Sequence, residues 1–297
     1  MRIVTRADFD GLVCSVIITS QEKIDSISLI HPQDITSNRV KIRDTDILAN
    51  LPYHPNCAKW FDHHLLTDNN PKPPGKFEGA YAIAPSAAGL VYDYYGGRNR
   101  LPQFEEMVLQ ADRLDSAQLS FDDVVNPTGH VLLGYTIDSR SGLGSFQDYF
   151  HLLIDLLKQK SIEQVLKHPK VRERCERILL DDGSFREVVQ ANSRVDGNVV
   201  ITDFRGLDVL PSGNRFLIYV LYPDVNVSVR LHWGPGRQFV VAAVGHSIFK
   251  RTCKTNVGEL MGRFGGGGHK GAGATPLSGD RTEAAIEEIV AELKRNG

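Results

Sequence analysis

Two aspartates near the amino terminus, Asp8 and Asp10, follow a short apolar run that is typical of a buried strand. They alternate with Phe9, so an extended backbone would project both carboxylates to one side. Two adjacent carboxylates repel each other unless a cation or a proton relieves them. A helix N-cap would explain one aspartate, because Asp is favoured there, but it would not explain both. The pair therefore indicates a cation site.

A second polar group, Asp62-His63-His64, ends the apolar run 58–61. Ligands of parallel α/β sheets bind at the carboxyl ends of the strands, where this group and the two aspartates would meet. If the aspartates, His63 and an acid of the segment 112–115 converge, they form a mixed oxygen and nitrogen site. Such a site suits manganese or magnesium better than zinc. Two such ions about 3.5–4 Å apart support the hydrolysis of phosphoesters.

Composition narrows the class of protein. The 297 residues are enough for two domains. A formal net charge of -2, from 34 basic and 36 acidic residues, gives no strong case for binding duplex nucleic acid. The four cysteines show no C-x-x-C spacing, which favours a reducing, cytoplasmic setting. We find no signal peptide and no apolar run of about 18 residues, so we expect no membrane contact. The oligomeric state stays open.

The candidate cation-binding residues lie on or beside the strands of a predicted parallel sheet. Apolar runs at 2–5, 26–31, 46–51 and 58–61 predict its strands, and helical patterns at 11–20, 85–97, 102–115, 145–168 and 170–193 predict its helices. The polar segment 192–198 is a predicted linker. Four β-branched runs then predict a second, smaller sheet: VVITDF, FLIYVLY, VNVSVRLHW and FVVAAV. Helices are predicted at 256–264 and 281–295.

We therefore expect an α/β protein with two domains. Residues 1–191 form a parallel-sheet N-terminal domain, and residues 199–297 form a smaller mixed-sheet α/β domain, with a cleft between them. In the second domain, the glycine run 265–268 follows an amphipathic helix and precedes His269 and Lys270. A helix cap would need one glycine rather than four. The run predicts a tight turn whose amide groups hold an anion.

Four motifs resemble those of the DHH phosphoesterase superfamily, which includes RecJ-like nucleases, nano-RNases and exopolyphosphatase-like proteins. They are Asp8-Phe9-Asp10-Gly11, Asp62-His63-His64, Asp115-Ser116-Ala117 and the glycine-rich stretch 265–273, which is similar to the signature of the DHH-associated C-terminal domain. The motifs occur in the family's order. The resemblance implies a phosphoesterase or phosphohydrolase that acts on a phosphorylated small molecule such as a nucleotide, on a short oligonucleotide or on polyphosphate.

The resemblance also implies a bimetal site, usually with manganese. By position, Asp8 would serve one ion, and Asp10, His63 and Asp115 would serve the other. Asp112 is an alternative to Asp115, because both lie near one helix end, although Asp115 fits the motif better. The remaining implied residues are the catalytic His64, which would face the substrate phosphate, and the substrate-binding residues Arg230, Gly266, Gly267, Gly268, His269 and Lys270.

Two positions depart from the family's pattern. Arg6 stands where the family has a histidine, and a guanidinium has no lone pair to offer a metal. Asn50 stands, by strand register, where the family has an aspartate that bridges both ions; it remains a candidate metal ligand through its side-chain carbonyl, but it brings no charge and bridges poorly. We hypothesise a partly degenerate site with one manganese or magnesium ion, in which Arg6 pairs with Asp8 and holds a phosphate. The competing hypothesis is a catalytically impaired protein that binds a phosphate ligand or a nucleotide.

Overall fold

The computed structural model describes residues 1–66, 72–73, 75–137, 143–211 and 213–296, apart from the side chain of Asp182. The chain divides into two compact units. The first consists of Met1–Leu119 and Pro127–Leu179, and the second consists of Ser120–Asn126 and Leu180–Gly297.

The first unit is built on a five-stranded parallel sheet with the strand order β2-β1-β3-β4-β5. Its strands are β1 (Arg2–Thr5), β2 (Ser26–Leu29), β3 (Asp46–Ala49), β4 (Lys59–Asp62) and β5 (Gly79–Tyr81). The parallel sheet confirms the prediction, although the sequence pattern did not reveal β5. In sheets of this order, ligands bind at the carboxyl ends of the strands near the junction of β1 and β3.

Helices connect these strands and cover the sheet. The helices up to the second sheet are α1 (Phe9–Gln21), α2 (Pro32–Thr36), α3 (Ala87–Tyr94), α4 (Gly97–Arg100), α5 (Glu105–Asp115), α6 (Phe121–Val125), α7 (Gly129–Tyr135), α8 (Phe146–Gln159), α9 (Ile162–Leu166) and α10 (Pro169–Ala191). The Ser86 hydroxyl accepts a hydrogen bond from the amide of Gly89 and caps α3. Among the described residues, no helix is both long and apolar enough to cross a membrane.

The prediction that Asp8 and Asp10 share an extended backbone is wrong. Helix α1 begins at Phe9, two residues before the predicted start, and Asp8 is its N-cap. The Asp8 carboxylate accepts a hydrogen bond of 2.9 Å from the amide of Gly11. Asp10 consequently lies in the first turn of α1. Gly11 permits this tight entry, because a Cβ there would lie 2.2 Å from the carbonyl oxygen of Arg6.

The second unit contains a six-stranded mixed sheet with the order β10-β11-β9-β8-β7-β6. Its strands are β6 (Ser193–Asp196), β7 (Val199–Asp203), β8 (Val227–Trp233), β9 (Val240–His246), β10 (Gly267–Gly268) and β11 (Ala272–Leu277). Among the described neighbouring pairs of this second sheet, β7 and β8 run parallel and the other pairs run antiparallel. Besides α6 and the part of α10 from Leu180 onward, the unit contains the helices α11 (Leu217–Leu221), α12 (Val257–Gly262) and α13 (Thr282–Arg295). Helices α12 and α13 pack on one apolar face of the sheet. The mixed sheet confirms the prediction.

Two segments of the second unit differ from their predicted structure. The run FLIYVLY, predicted as a strand, contains the helix α11, in which Leu217, Ile218 and Tyr219 are buried. A run that is apolar on all sides has no periodicity that separates a buried helix from a buried strand. Residues Ser193–Asp196, inside the predicted linker 192–198, form β6 and pair with β7.

Candidate active site

Three of the predicted metal ligands meet in the first unit. Asp10 comes from the first turn of α1, His63 follows β4, and Asp115 ends α5. The Nε2 atom of His63 lies 3.7 Å from an Asp10 oxygen and 3.3 Å from an Asp115 oxygen. One ligand atom from each residue lies within 4.8 Å of the other two. The structure therefore brings these three side chains to one point.

The orientation of His63 suits a metal ligand. Its Nδ1 lies 3.0 Å from the backbone carbonyl oxygen of Ala84, which can only accept a hydrogen bond. Nδ1 therefore carries the proton, and the lone pair of the neutral ring is on Nε2, the nitrogen that faces the two carboxylates. Metal-binding histidines are commonly held in one tautomer in this way. The donor set of two carboxylates and one imidazole fits a manganese or magnesium ion.

The environment of Asp10 disfavours a carboxylate that has no cation nearby. Asp10 is 2% exposed, and it accepts hydrogen bonds from the amides of Ala87 at 3.0 Å and Ala88 at 2.7 Å. Burial, followed by the negative charges of Asp115 and Asp8, nevertheless raises the pKa of Asp10 well above its ordinary value. Burial also raises the pKa of Asp115. A bound divalent cation would relieve both effects.

This shift in the pKa of Asp10 predicts how the metal-free protein responds to pH. An unfolded Asp loses its proton near pH 3.9, whereas folded Asp10 keeps its proton to a higher pH. Between these two pKa values the folded state binds more protons, so the free energy of unfolding should fall as the pH rises. Urea denaturation in EDTA at a series of pH values measures this slope. Asp10→Asn should flatten it, and an unchanged slope in that variant would argue against the shift.

The Asp8 carboxylate contacts the guanidinium of Arg6 and the side-chain N–H of Asn50, two groups that cannot bind a metal ion. The Nε atom of Arg6 lies 3.1 Å from Asp8 Oδ2, and the Asn50 amide donates to Asp8 Oδ1 at 3.1 Å. Asn50 follows β3, is fully buried and adopts a left-handed backbone with φ 57°. Its Oδ1 is buried and has no hydrogen-bond partner among the described residues. One cation and one amide thus neutralise and hold Asp8.

His64 lies beside this pair. Its Nδ1 donates to Asp62 Oδ1 at 2.7 Å, because a carboxylate only accepts, and its Nε2 lies 3.5 Å from Nη1 of Arg6. Burial alone would lower the pKa of Arg6, but the negative charges of Asp8, Asp115, Asp10 and Asp62 outweigh it and raise that pKa. Arg6 therefore stays a fixed cation next to His64. The sequence pattern did not assign this role to Asp62.

The two candidate acids at the end of α5 have different neighbours. Asp112 accepts a hydrogen bond of 2.6 Å from the hydroxyl of Ser86, the N-cap of α3. Asp115 instead faces His63. Of the two, Asp115 belongs to the three-ligand cluster.

The predicted substrate-binding residues of the second unit lie on β8 and in or next to β10. Arg230 is half-buried on β8. The glycine run leads into β10, in which Gly267 and Gly268 pair with β11. The amide of Gly266 donates to Met261 and that of His269 donates to Ala272. These two amides are therefore used within the fold.

Two positions of the glycine run have no room for a side chain, because the neighbouring main chain lies too close. A Cβ on Gly266 would lie 2.1 Å from the carbonyl oxygen of Ala274, and one on Gly268 would lie 2.3 Å from that of Ala272. Close approach of β10 to β11 thus requires glycine at both positions. His269 is half-buried and Lys270 is exposed directly after this strand.

Comparison with solved structures finds a similar protein that aligns over the whole chain. A pGpG-specific phosphodiesterase from Vibrio cholerae, PggH, is 38% identical, with a TM-score of 0.77. The alignment covers 100% of this chain and 99% of that one. A scan against descriptions of protein families finds no match, and a search of curated proteins finds none either.

More distant structures share the fold. An exopolyphosphatase-related protein from Bacteroides fragilis has a TM-score of 0.56 at 14% identity, with 99% of this chain and 92% of that one covered. RecJ from Thermus thermophilus, solved in complex with Mn2+, has a TM-score of 0.55 at 13% identity. That alignment covers 99% of this chain and 52% of RecJ.

Proposed function

Because the chain belongs to the DHH phosphoesterase superfamily, we propose that it is a metal-dependent phosphodiesterase that hydrolyses short phosphorylated oligonucleotides. The dinucleotide pGpG is the first substrate to test, since the full-length relative of 38% identity is specific for it. The observation that carries the proposal is the convergence of Asp10, His63 and Asp115 within 4.8 Å of one another. Two carboxylates this close to each other repel unless a cation or a proton neutralises them.

The proposed site holds one manganese or magnesium ion through Asp10, His63 and Asp115. When bound, such an ion would neutralise developing negative charge on a phosphate and favour attack by water. Arg6 takes the place of a second ion beside Asp8. This part of the proposal is supported by the Arg6–Asp8 ion pair of 3.1 Å and the Asn50–Asp8 hydrogen bond of 3.1 Å.

The protein's own side chains bind and orient the substrate in this proposal. Arg6 donates to a non-bridging oxygen of the scissile phosphate, since a guanidinium can pair with a phosphate while its Nε stays on Asp8. His64, whose Nδ1 donates to Asp62, donates to the same phosphate from Nε2 in its imidazolium form. In the second unit, the residues that we propose bind the substrate are the same as those predicted from the sequence: Arg230, Gly266, Gly267, Gly268, His269 and Lys270.

A hydrolysis assay tests the proposal. The purified protein with Mn2+ should convert pGpG to mononucleotides at a rate at least about 10⁶-fold above the uncatalysed reaction. EDTA should abolish the activity, and added Mn2+ should restore it. Chromatography of the products measures conversion, and polyphosphate and a longer oligonucleotide serve as comparison substrates. Absence of turnover on every substrate with Mn2+ present would overturn the proposal.

The Arg6–Asp8–Asn50 arrangement favours a second candidate function. A protein in which a fixed cation occupies one ion position could bind a phosphorylated nucleotide with little or no turnover. In that case calorimetry should detect binding of pGpG, while hydrolysis of pGpG stays at the background rate. Binding and hydrolysis measured on one sample therefore separate the two functions.

A further inference from the structure

The phenol of Tyr81 contacts the main chain of the loop that contains His64. Its hydroxyl donates a hydrogen bond of 2.9 Å to the backbone carbonyl oxygen of His64. Tyr81 is the last residue of the edge strand β5 and lies in register with Asp62 on β4. The hydrogen bond therefore ties the peptide that follows the His64 side chain to the end of the neighbouring strand.

The ring of Tyr81 is itself held in place. It stacks on the indole of Trp60, with ring centroids 5.2 Å apart and an angle of 6° between the planes. Trp60 is fully buried, and its Nε1 donates to the carbonyl oxygen of Leu51 at 2.8 Å. The hydroxyl of Tyr81 thus projects from a rigid support, and little conformational entropy is lost when it bonds to His64.

His64 is held at two points by neighbouring strands. Asp62, at the end of β4, orients the ring through Nδ1, and Tyr81, at the end of β5, holds the backbone carbonyl. Removal of the second contact would leave the ring hydrogen bond intact but allow the peptide to shift. A displacement of about 1 Å in a catalytic group can cost on the order of 100-fold in rate.

We propose that Tyr81 is a positioning residue for His64, which it holds against the substrate phosphate through the His64 carbonyl. This inference rests on the proposed phosphodiesterase function and adds a residue that no sequence motif indicates. Tyr81 touches neither the substrate nor the three-ligand cluster in this account. Its effect on the reaction passes through His64.

The test compares Tyr81→Phe in two backgrounds. The substitution keeps the stacking on Trp60 and removes one hydroxyl, so the fold should persist. In the parent, kcat for pGpG should fall roughly 10-fold. In a His64→Ala background, the same change should alter the residual kcat by less than about 2-fold, because the side chain through which Tyr81 acts is gone. A similar fall in both backgrounds would show a general structural role and overturn the proposal.

Tyr95→Phe is the matched control. It removes a tyrosine hydroxyl that donates a hydrogen bond of the same length, 2.9 Å, to Glu22 in the same unit. Tyr95→Phe should leave kcat within about 2-fold of the parent. An equal loss in both tyrosine variants would contradict a specific role for Tyr81.

A spectroscopic readout applies even to a sample without turnover. The Nδ1 proton of His64, bonded to Asp62, should give a deshielded signal in histidine ¹⁵N–¹H spectra, assigned with His64→Ala. Tyr81→Phe should shift or broaden this signal, and Tyr95→Phe should not. An unchanged signal in Tyr81→Phe would overturn the positioning role. If the parent itself hydrolyses none of the test substrates, that result contradicts the proposed function, and the spectra alone decide on Tyr81.

Discussion

Asp115→Asn should reduce kcat for pGpG and the affinity for Mn2+ by roughly 100-fold or more. The loss of even an outer partner of a metal ligand typically costs about 10–100-fold, and we propose that Asp115 is a ligand itself. The physical reason is the position of its carboxylate, 3.3 Å from Nε2 of His63. An amide at this point keeps the shape of the side chain but removes its charge. Calorimetric titration with Mn2+ and steady-state kinetics measure both losses.

Asp112→Asn provides a matched control for this variant. Asp112 lies one turn earlier on α5 and accepts a hydrogen bond from Ser86, which an amide side chain can also accept. Its pKa is raised by burial, so loss of its charge should not destabilise the fold. The Asp112→Asn protein should therefore retain Mn2+ affinity and kcat within about 3-fold. The opposite ranking of the two variants would show that the acids have been assigned wrongly.

The double substitution Arg6→His with Asn50→Asp should raise the number of bound Mn2+ ions from one to two. It replaces a fixed cation and a neutral amide beside Asp8 with an imidazole and a carboxylate, both of which are metal ligands. The carboxylate introduced at position 50 would face Asp8 across the present 3.1 Å contact, so a second cation becomes favourable. We expect kcat to rise about 10-fold or more, because a second divalent ion would stabilise the negative charge that develops on the phosphate more strongly than the single charge of Arg6.

The single substitutions are the controls for the double variant. Asn50→Asp alone keeps the Arg6–Asp8 ion pair, and Arg6→His alone keeps the neutral amide, so each should still bind one ion. Without Mn2+ the double variant should have a lower Tm than the parent, since the carboxylate at the buried position 50 then repels that of the half-buried Asp8. A double variant with the parent's stoichiometry and kcat would mean that the first ion position is misplaced.

Strand ends in the sequence predict where several polar residues of this candidate site lie. Polar residues that directly follow buried strands converge because the carboxyl ends of parallel strands share one edge, and His63 and Asn50 lie there as expected. Asp10 is different, because it projects from the first turn of α1. The alternation of Asp8 and Asp10 indicates a strand with a period of two, whereas Asp8 is the N-cap of a helix that begins at Phe9.

Other contacts could not be predicted from the residue types alone. The carbonyl of Ala84, which fixes the tautomer of His63, is a backbone group and leaves no sequence signal. Tyr81 lies on β5, a strand of three residues that no periodicity reveals. The helix α11 in the apolar run 216–222 is also hidden from sequence analysis, because a run that is apolar on all sides shows no helical period.

A crystal grown with Mn2+ and phosphate, measured at the manganese absorption edge, tests the central claim most directly. We predict one anomalous peak per chain, within coordination distance of Asp10, His63 and Asp115, and Arg6 still paired with Asp8. Two peaks, or a single peak on Asp8 with Arg6 displaced, would contradict the one-ion site and the role of Arg6.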